Sequence, residues 1–91
     1  MRIVYLDSTV EDFLWIRRYY EETFVAGAAA FSDAFEATAQ LLRDFPMAGT
    51  PHPTREGVRI RRIVNTPFAY VYRIQGDIIR VEHILDQRAA S

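Results

Sequence analysis

The chain has no cysteine and no lysine, and it is sparing with the residues that break regular structure: 4 glycines and 4 prolines in 91 residues. Without cysteine, a disulfide scaffold, a thiolate zinc site and a cysteine nucleophile are all excluded. The 2 histidines are too few for a compact all-histidine site. No metal and no cofactor is therefore expected. No apolar run approaches the ~18 residues of a membrane span. The apolar stretch within Met1–Asp7 is too short for a signal peptide, so the expected location is the cytoplasm, away from membranes. What is present is ordinary for a globular domain: 49% hydrophobic, 13% aromatic and 25% charged residues, which argues against disorder. The length suits one domain spanning 1–91, burying roughly 60–65% of its unfolded surface.

The net charge of −1 hides an asymmetry. Residues 1–54 hold four arginines and eight acidic residues, whereas residues 55–91 hold seven arginines and four. An arginine-only basic half suits planar, bidentate contact with carboxylate or phosphate. A genome that encodes arginine wherever lysine would serve gives the same composition.

Arg2 to Leu6 reads as a short strand ended by Asp7 and Ser8. Ser8-Thr9-Val10-Glu11 fits a capping box that opens a helix, with Asp12 as a second carboxylate at its positive end. Val10, Phe13, Leu14, Arg17, Tyr20 and Phe24 follow a helical spacing, Ile16 widens the apolar stripe, and Trp15 falls at its edge. Gly27 marks a break. A second helix is expected from Ala28 to Phe45 with Phe31, Phe35, Thr38, Leu42 and Phe45 inward, and Pro46 ends it. Pro46 to Gly57 is a stiff loop with three prolines and two glycines.

The period then changes to two. Val58–Val64 is a strand whose alternation slips at Arg61-Arg62, which suggests a bulge there. Phe68–Ile74 and Ile78–Leu85 are two further strands joined through Gly76-Asp77. A two-residue hairpin there sets Arg73 against Arg80, Tyr72 against Val81 and Tyr70 against His83. Phe68, Tyr70, Tyr72, Ile74, Ile79, Val81, His83 and Leu85 would then face the helices. Arg73 and Arg80, directly opposed on the other face, would repel, so one should lean to Glu82 or bind an anion. The fold class is α+β, in the order β-α-α-β-β-β: a helical hairpin on one face of a small, mainly antiparallel sheet.

This order resembles the RelE/ParE superfamily of type II toxins over nearly the whole chain. The resemblance rests on Val10-Glu11-Asp12-Phe13-Leu14-Trp15-Ile16-Arg17-Arg18-Tyr19-Tyr20, on Phe45-Pro46-Met47-Ala48-Gly49, on Gly57-Val58-Arg59 and on Pro67-Phe68-Ala69-Tyr70-Val71-Tyr72-Arg73. It implies a toxin neutralised by a cognate antitoxin. Such a toxin either poisons DNA gyrase, as in the ParE branch, or cuts messenger RNA on the ribosome, as in the RelE branch. RNA cleavage needs a base, an acid and a cation for the phosphorane. The chain has no lysine. Ala69 stands where RelE-type proteins carry a central-strand arginine, and no tyrosine follows Leu85. The resemblance therefore leans to the ParE branch and to a protein that binds rather than cuts. Where ParE-type chains end in a His-x-Arg-Arg-like pattern, this one reads Asp86-Gln87-Arg88-Ala89, departing at Asp86 and Ala89.

The candidate target-binding residues are Arg59, Arg61, Arg62, Arg73, Arg80 and Arg88, with the last of these converging on Arg73 and Arg80. A solvated strand face is the alternative for the first three. Trp15, Arg18 and Tyr19 are candidate antitoxin contacts, with packing at the helix edge the alternative for Trp15. Were the chain a nuclease, Arg73, Arg80, His83 and Arg88 would be its catalytic candidates, with Arg59. His83 otherwise reads as a hydrogen-bonded core histidine, His52 as solvated, Tyr70 and Tyr72 as core aromatics with wet hydroxyls, and Glu11 and Asp12 as helix-cap residues. The partners expected are a cognate antitoxin and DNA gyrase, or else the ribosome and messenger RNA. A residual module that binds antitoxin without toxicity is a third reading.

Overall fold

A computed structural model describes residues 1–23 and 25–88. Phe24 and Ala89, named above, lie outside the described residues. The elements are β1 (Arg2–Tyr5), α1 (Ser8–Glu22), a 3-10 turn at Val25–Gly27, α2 (Ala28–Asp44), a second 3-10 turn at Pro46–Ala48, β2 (Thr50–Pro51), β3 (Val58–Arg62), β4 (Phe68–Gln75) and β5 (Ile78–Asp86). The five strands form one sheet in the order β1-β5-β4-β3-β2. β1 runs parallel to β5, and every other pair is antiparallel. Two helices on one face of a mainly antiparallel sheet is the α+β arrangement the periodicities imply. The two-residue β2 is an addition, too short to leave a period.

The core lies between the helices and the sheet. Ile16, Tyr20, Ala39, Leu42, Ile63, Phe68, Tyr70, Tyr72, Ile79, Val81 and Ile84 form it, with Tyr5, Phe13, Phe31 and Phe35 packed against it. Phe68 is fully buried and is ringed by Trp15, Tyr19, Tyr20 and Phe31 at 5.8–6.2 Å between ring centroids.

The inward stripe of α1 is Thr9, Ile16 and Tyr20, with Phe13 half-buried. Val10 and Leu14, placed in the core by the helical spacing, are 56% and 57% exposed. They lie one residue, about 100° of helix rotation, off the Thr9–Phe13–Ile16–Tyr20 line. The capping box does not form. Asp7 precedes the helix with no side-chain cap, and the Ser8 hydroxyl donates to the Glu82 carbonyl at 2.6 Å instead. Asp12 is likewise drawn to β5: its Oδ2 accepts the Ile84 N–H at 3.0 Å. β1 pairs with β5 only as far as Val81, so the start of α1 supplies partners to the edge that β1 leaves.

β3 pairs evenly with β4, with no bulge at Arg61-Arg62. Arg59 and Arg61 stand opposite Tyr72 and Tyr70, on the helix side, and are polar there because they donate to the Gly49 and Ala48 carbonyls. The register shift lies instead between β4 and β5. Tyr72 pairs with Val81 and Val71 with His83, so Glu82 is the extra residue. The shift swaps the parity of everything beyond it. Tyr70 therefore faces Ile84, which enters the core, and His83 turns out to solvent. The Gly76-Asp77 turn is as expected: Gln75 pairs with Ile78, and Gly76 takes φ +62°, the positive value a tight hairpin needs at its first central residue.

The segment Pro46–Gly49 locks the end of α2 to the middle of the sheet. The Tyr72 hydroxyl donates to the Pro46 carbonyl at 2.7 Å and accepts the Gly49 N–H at 2.9 Å. A Cβ at Gly49 would lie 2.6 Å from that hydroxyl oxygen and 3.0 Å from the Ile60 carbonyl, so only glycine fits. His52 is not merely solvated: its Nδ1 accepts the N–H groups of Thr54 and Arg55, each at 3.1 Å, and shapes the loop.

Candidate functional site

Two surfaces carry the residues of interest. The first is the outer side of α1. Trp15 and Tyr19 stack with centroids 6.0 Å apart and an interplanar angle of 6°. Both meet Phe68 edge-on, so this exposed stack continues the core outward. Trp15 is 47% exposed, Arg18 is exposed, and Val10 and Leu14 add apolar surface on the same helix. On the Val10 and Leu14 side of the helix, away from the Trp15–Tyr19 stack, a groove of about 260 Å³ runs between α1 and α2, lined by Phe13, Ile16, Tyr20, Ala28 and Phe31 and rimmed by Arg17 and Glu21.

Arg88 belongs to this surface. Its guanidinium lies 4.9 Å over the Tyr19 ring and 5.9 Å from that of Phe68. Asp86 holds it bidentately, Nε to Oδ1 and Nη2 to Oδ2, both at 3.1 Å. The Asp86 pairing, then the Tyr19 hydroxyl, push the Arg88 pKa above its ordinary value. Asp86 is thus the residue that fixes Arg88 against α1.

The second surface is the sheet face away from the helices. Arg73 and Arg80 are direct register partners there. Arg73 leans to Glu82, Nε to Oε2 at 3.7 Å, and Arg55 meets the other oxygen at 2.9 Å. The Arg55 contact is off the N–H direction, so it is a charge contact rather than a hydrogen bond. Arg55 was not singled out from the sequence. It comes from the loop before β3 and crosses β4 to reach Glu82, a contact with no local signal. Arg88 does not converge with Arg73 and Arg80: Asp86 alone is six residues beyond Arg80, about 20 Å along the strand.

The remaining candidates are occupied elsewhere. Arg62 donates to the Thr66 carbonyl at 3.1 Å, so all three β3 arginines serve backbone carbonyls. His83 stands 3.3 Å from the Asp12 carboxylate and apart from both arginine groups. Neither Tyr70 nor Tyr72 keeps a wet hydroxyl. Tyr70 Oη lies 3.0 Å from Tyr5 Oη and donates to the Phe35 carbonyl at 3.4 Å. Burial, then the Tyr5 hydroxyl, push the Tyr70 pKa well above that of an ordinary phenol. Burial also raises Tyr5 and Tyr72, against the hydrogen bonds from Tyr70 and from Gly49. Ala69 is fully buried. Among the described residues no group of three His, Cys, Asp or Glu side chains is placed to hold a metal ion, and no helix is long and apolar enough to cross a membrane.

Comparison with known proteins bears on this arrangement. Residues 3–90 match the family model described as the ParE toxin of the type II toxin–antitoxin system parDE. A solved structure titled "Chromosomal ParDE TA system from P. aeruginosa" superposes with a TM-score of 0.72 at 20% identity, covering 92% of each chain. At that identity the likeness is one of fold. No curated protein sequence matches the chain.

Proposed function

The chain belongs to the ParE toxin family of type II toxin–antitoxin systems, and from that premise we propose that it arrests growth by binding and poisoning DNA gyrase, and that a cognate antitoxin holds it inactive. The observation that carries the choice of binding over RNA cleavage is the scattering of the nuclease candidates. Arg73 and Arg80 lie at the hairpin end, His83 pairs with Asp12, and Arg88 is clamped to Asp86 and Tyr19. In-line attack by a 2′-hydroxyl needs base, acid and cation around one phosphate. Groups ~20 Å apart along a strand do not meet that need.

The antitoxin reading rests on α1. Val10 and Leu14 leave apolar surface exposed beside the α1–α2 groove, with Arg17 and Glu21 at its rim, and across Glu11 and Arg18, on the flank facing β5, Trp15 forms a second apolar patch. The first is the surface an amphipathic helix would cover, apolar anchors inward and charges at the rim. Tyr19 and Arg88 extend the second toward the end of β5.

The test is induction of the chain in a bacterial host lacking any antitoxin, in the cytoplasm where gyrase and ribosomes both reside. Labelled amino-acid incorporation is followed over the first minutes. Sustained translation with filamentation and a DNA-damage response supports gyrase poisoning. Prompt collapse of translation with cut transcripts overturns it in favour of ribosomal cleavage. Unimpaired growth with soluble protein leaves an antitoxin-binding remnant.

A further inference from the structure

We propose that Arg55, Arg73 and Arg80 form a binding site for a phosphate group on the sheet face away from the helices. Hairpin register sets Arg73 and Arg80 side by side, an arrangement of like charges that a sheet does not favour on its own. Glu82, two residues along β5 from Arg80, lies on the same face, and that one carboxylate is shared between Arg55 and Arg73. Arg80 is left with a neutral partner: its Nη1 reaches the Gln75 amide oxygen at 3.4 Å. Its Nε is buried and has no acceptor among the described residues. A buried charged donor without an acceptor is costly, and it is resolved when an oxyanion arrives.

The charge count selects the ligand. Three guanidinium groups against one carboxylate leave two positive charges. Phosphate brings one to two negative charges and several acceptor oxygens, enough for Arg80 Nε and for the outer nitrogens of its neighbours. A side-chain carboxylate would repeat what Glu82 already supplies. Arg55, on a loop and with its side chain 45% exposed, is free to swing from Glu82 to the ligand. The phosphate comes either from a free phosphate compound or from a nucleic-acid backbone. The site does not depend on gyrase being the target.

The experiment is a titration of the full chain with inorganic phosphate at constant ionic strength, reading the arginine Nε–Hε signals by NMR. Saturable shifts at Arg73 and Arg80, with Arg17 and Arg18 on α1 unmoved, are expected. Arg80→Gln should weaken binding at least tenfold without lowering the melting temperature in phosphate-free buffer. Arg55→Gln, a loop change that leaves the sheet intact, should weaken it about fivefold and stands in if Arg80→Gln fails to fold. A labelled 20-base-pair DNA duplex that displaces phosphate identifies the backbone as the source, and one that does not identifies a free phosphate compound. Shifts spread over all arginines, no saturation, or unchanged binding in both variants overturns the proposal.

Discussion

The two faces of the sheet treat their polar groups in opposite ways. On the helix face each one is tied into the fold: Tyr72 to Pro46 and Gly49, Tyr70 to Tyr5 and Phe35, Arg59 and Arg61 to the carbonyls of Gly49 and Ala48. On the other face, at the hairpin end, two arginines oppose each other and a buried Nε has no acceptor. Pairing, not burial, separates the two faces. A polar group under two helices is costly unless it is paired, and the buried Arg80 Nε carries that same cost until an acceptor arrives. One face ties its polar groups into the fold, and the other carries the phosphate site proposed above.

The largest expected effect breaks the helix face. Phe68→Ala empties the centre of the aromatic ring cluster and should cost about 3–5 kcal/mol, enough to leave a chain this small largely unfolded at 37 °C in a thermal melt. Tyr72→Phe removes the partner of both Gly49 N–H and Pro46 C=O and should cost about 1–3 kcal/mol. Gly49→Ala should fall in the same range by overpacking, and denaturant titration measures both. Next comes alkaline pH. The folded Tyr70 pKa is raised, so its contribution is intact below the unfolded value of 10.0 and is lost as pH rises above it. Stability should fall by up to ~1.4 kcal/mol per pH unit from this one group, and Tyr70→Phe should flatten the profile. The smallest effect on folding is on the outer side of α1. Leu14→Gln should change stability by less than about 0.5 kcal/mol, yet weaken antitoxin binding at least tenfold in a calorimetric titration.

The sequence made much of this legible, and its failures share a cause. Helical spacing, the Gly27 break, Pro46 and the Gly76-Asp77 turn place the elements, because each acts on its own neighbours in the chain. The hairpin turn also yields the Arg73–Arg80 opposition. What could not be read depends on contacts across the chain. Ser8 gives up its local cap for the Glu82 carbonyl, 74 residues away. The Glu82 bulge, which turns His83 out and Ile84 in, sits where α1 meets the edge of β5. Arg55 acquires meaning only when its loop crosses β4. Arg88 joins α1 because Asp86 clamps it.

The central claim, that the chain is a gyrase poison and not a nuclease, is tested most directly with purified components. The full chain is added to gyrase, relaxed plasmid and ATP, and supercoiled and linear DNA are resolved on a gel. The account predicts loss of supercoiling and accumulation of cleaved DNA as the chain approaches the gyrase concentration, with both reversed by the antitoxin. Full supercoiling at a large molar excess, alongside messenger RNA cut on added ribosomes, would contradict it.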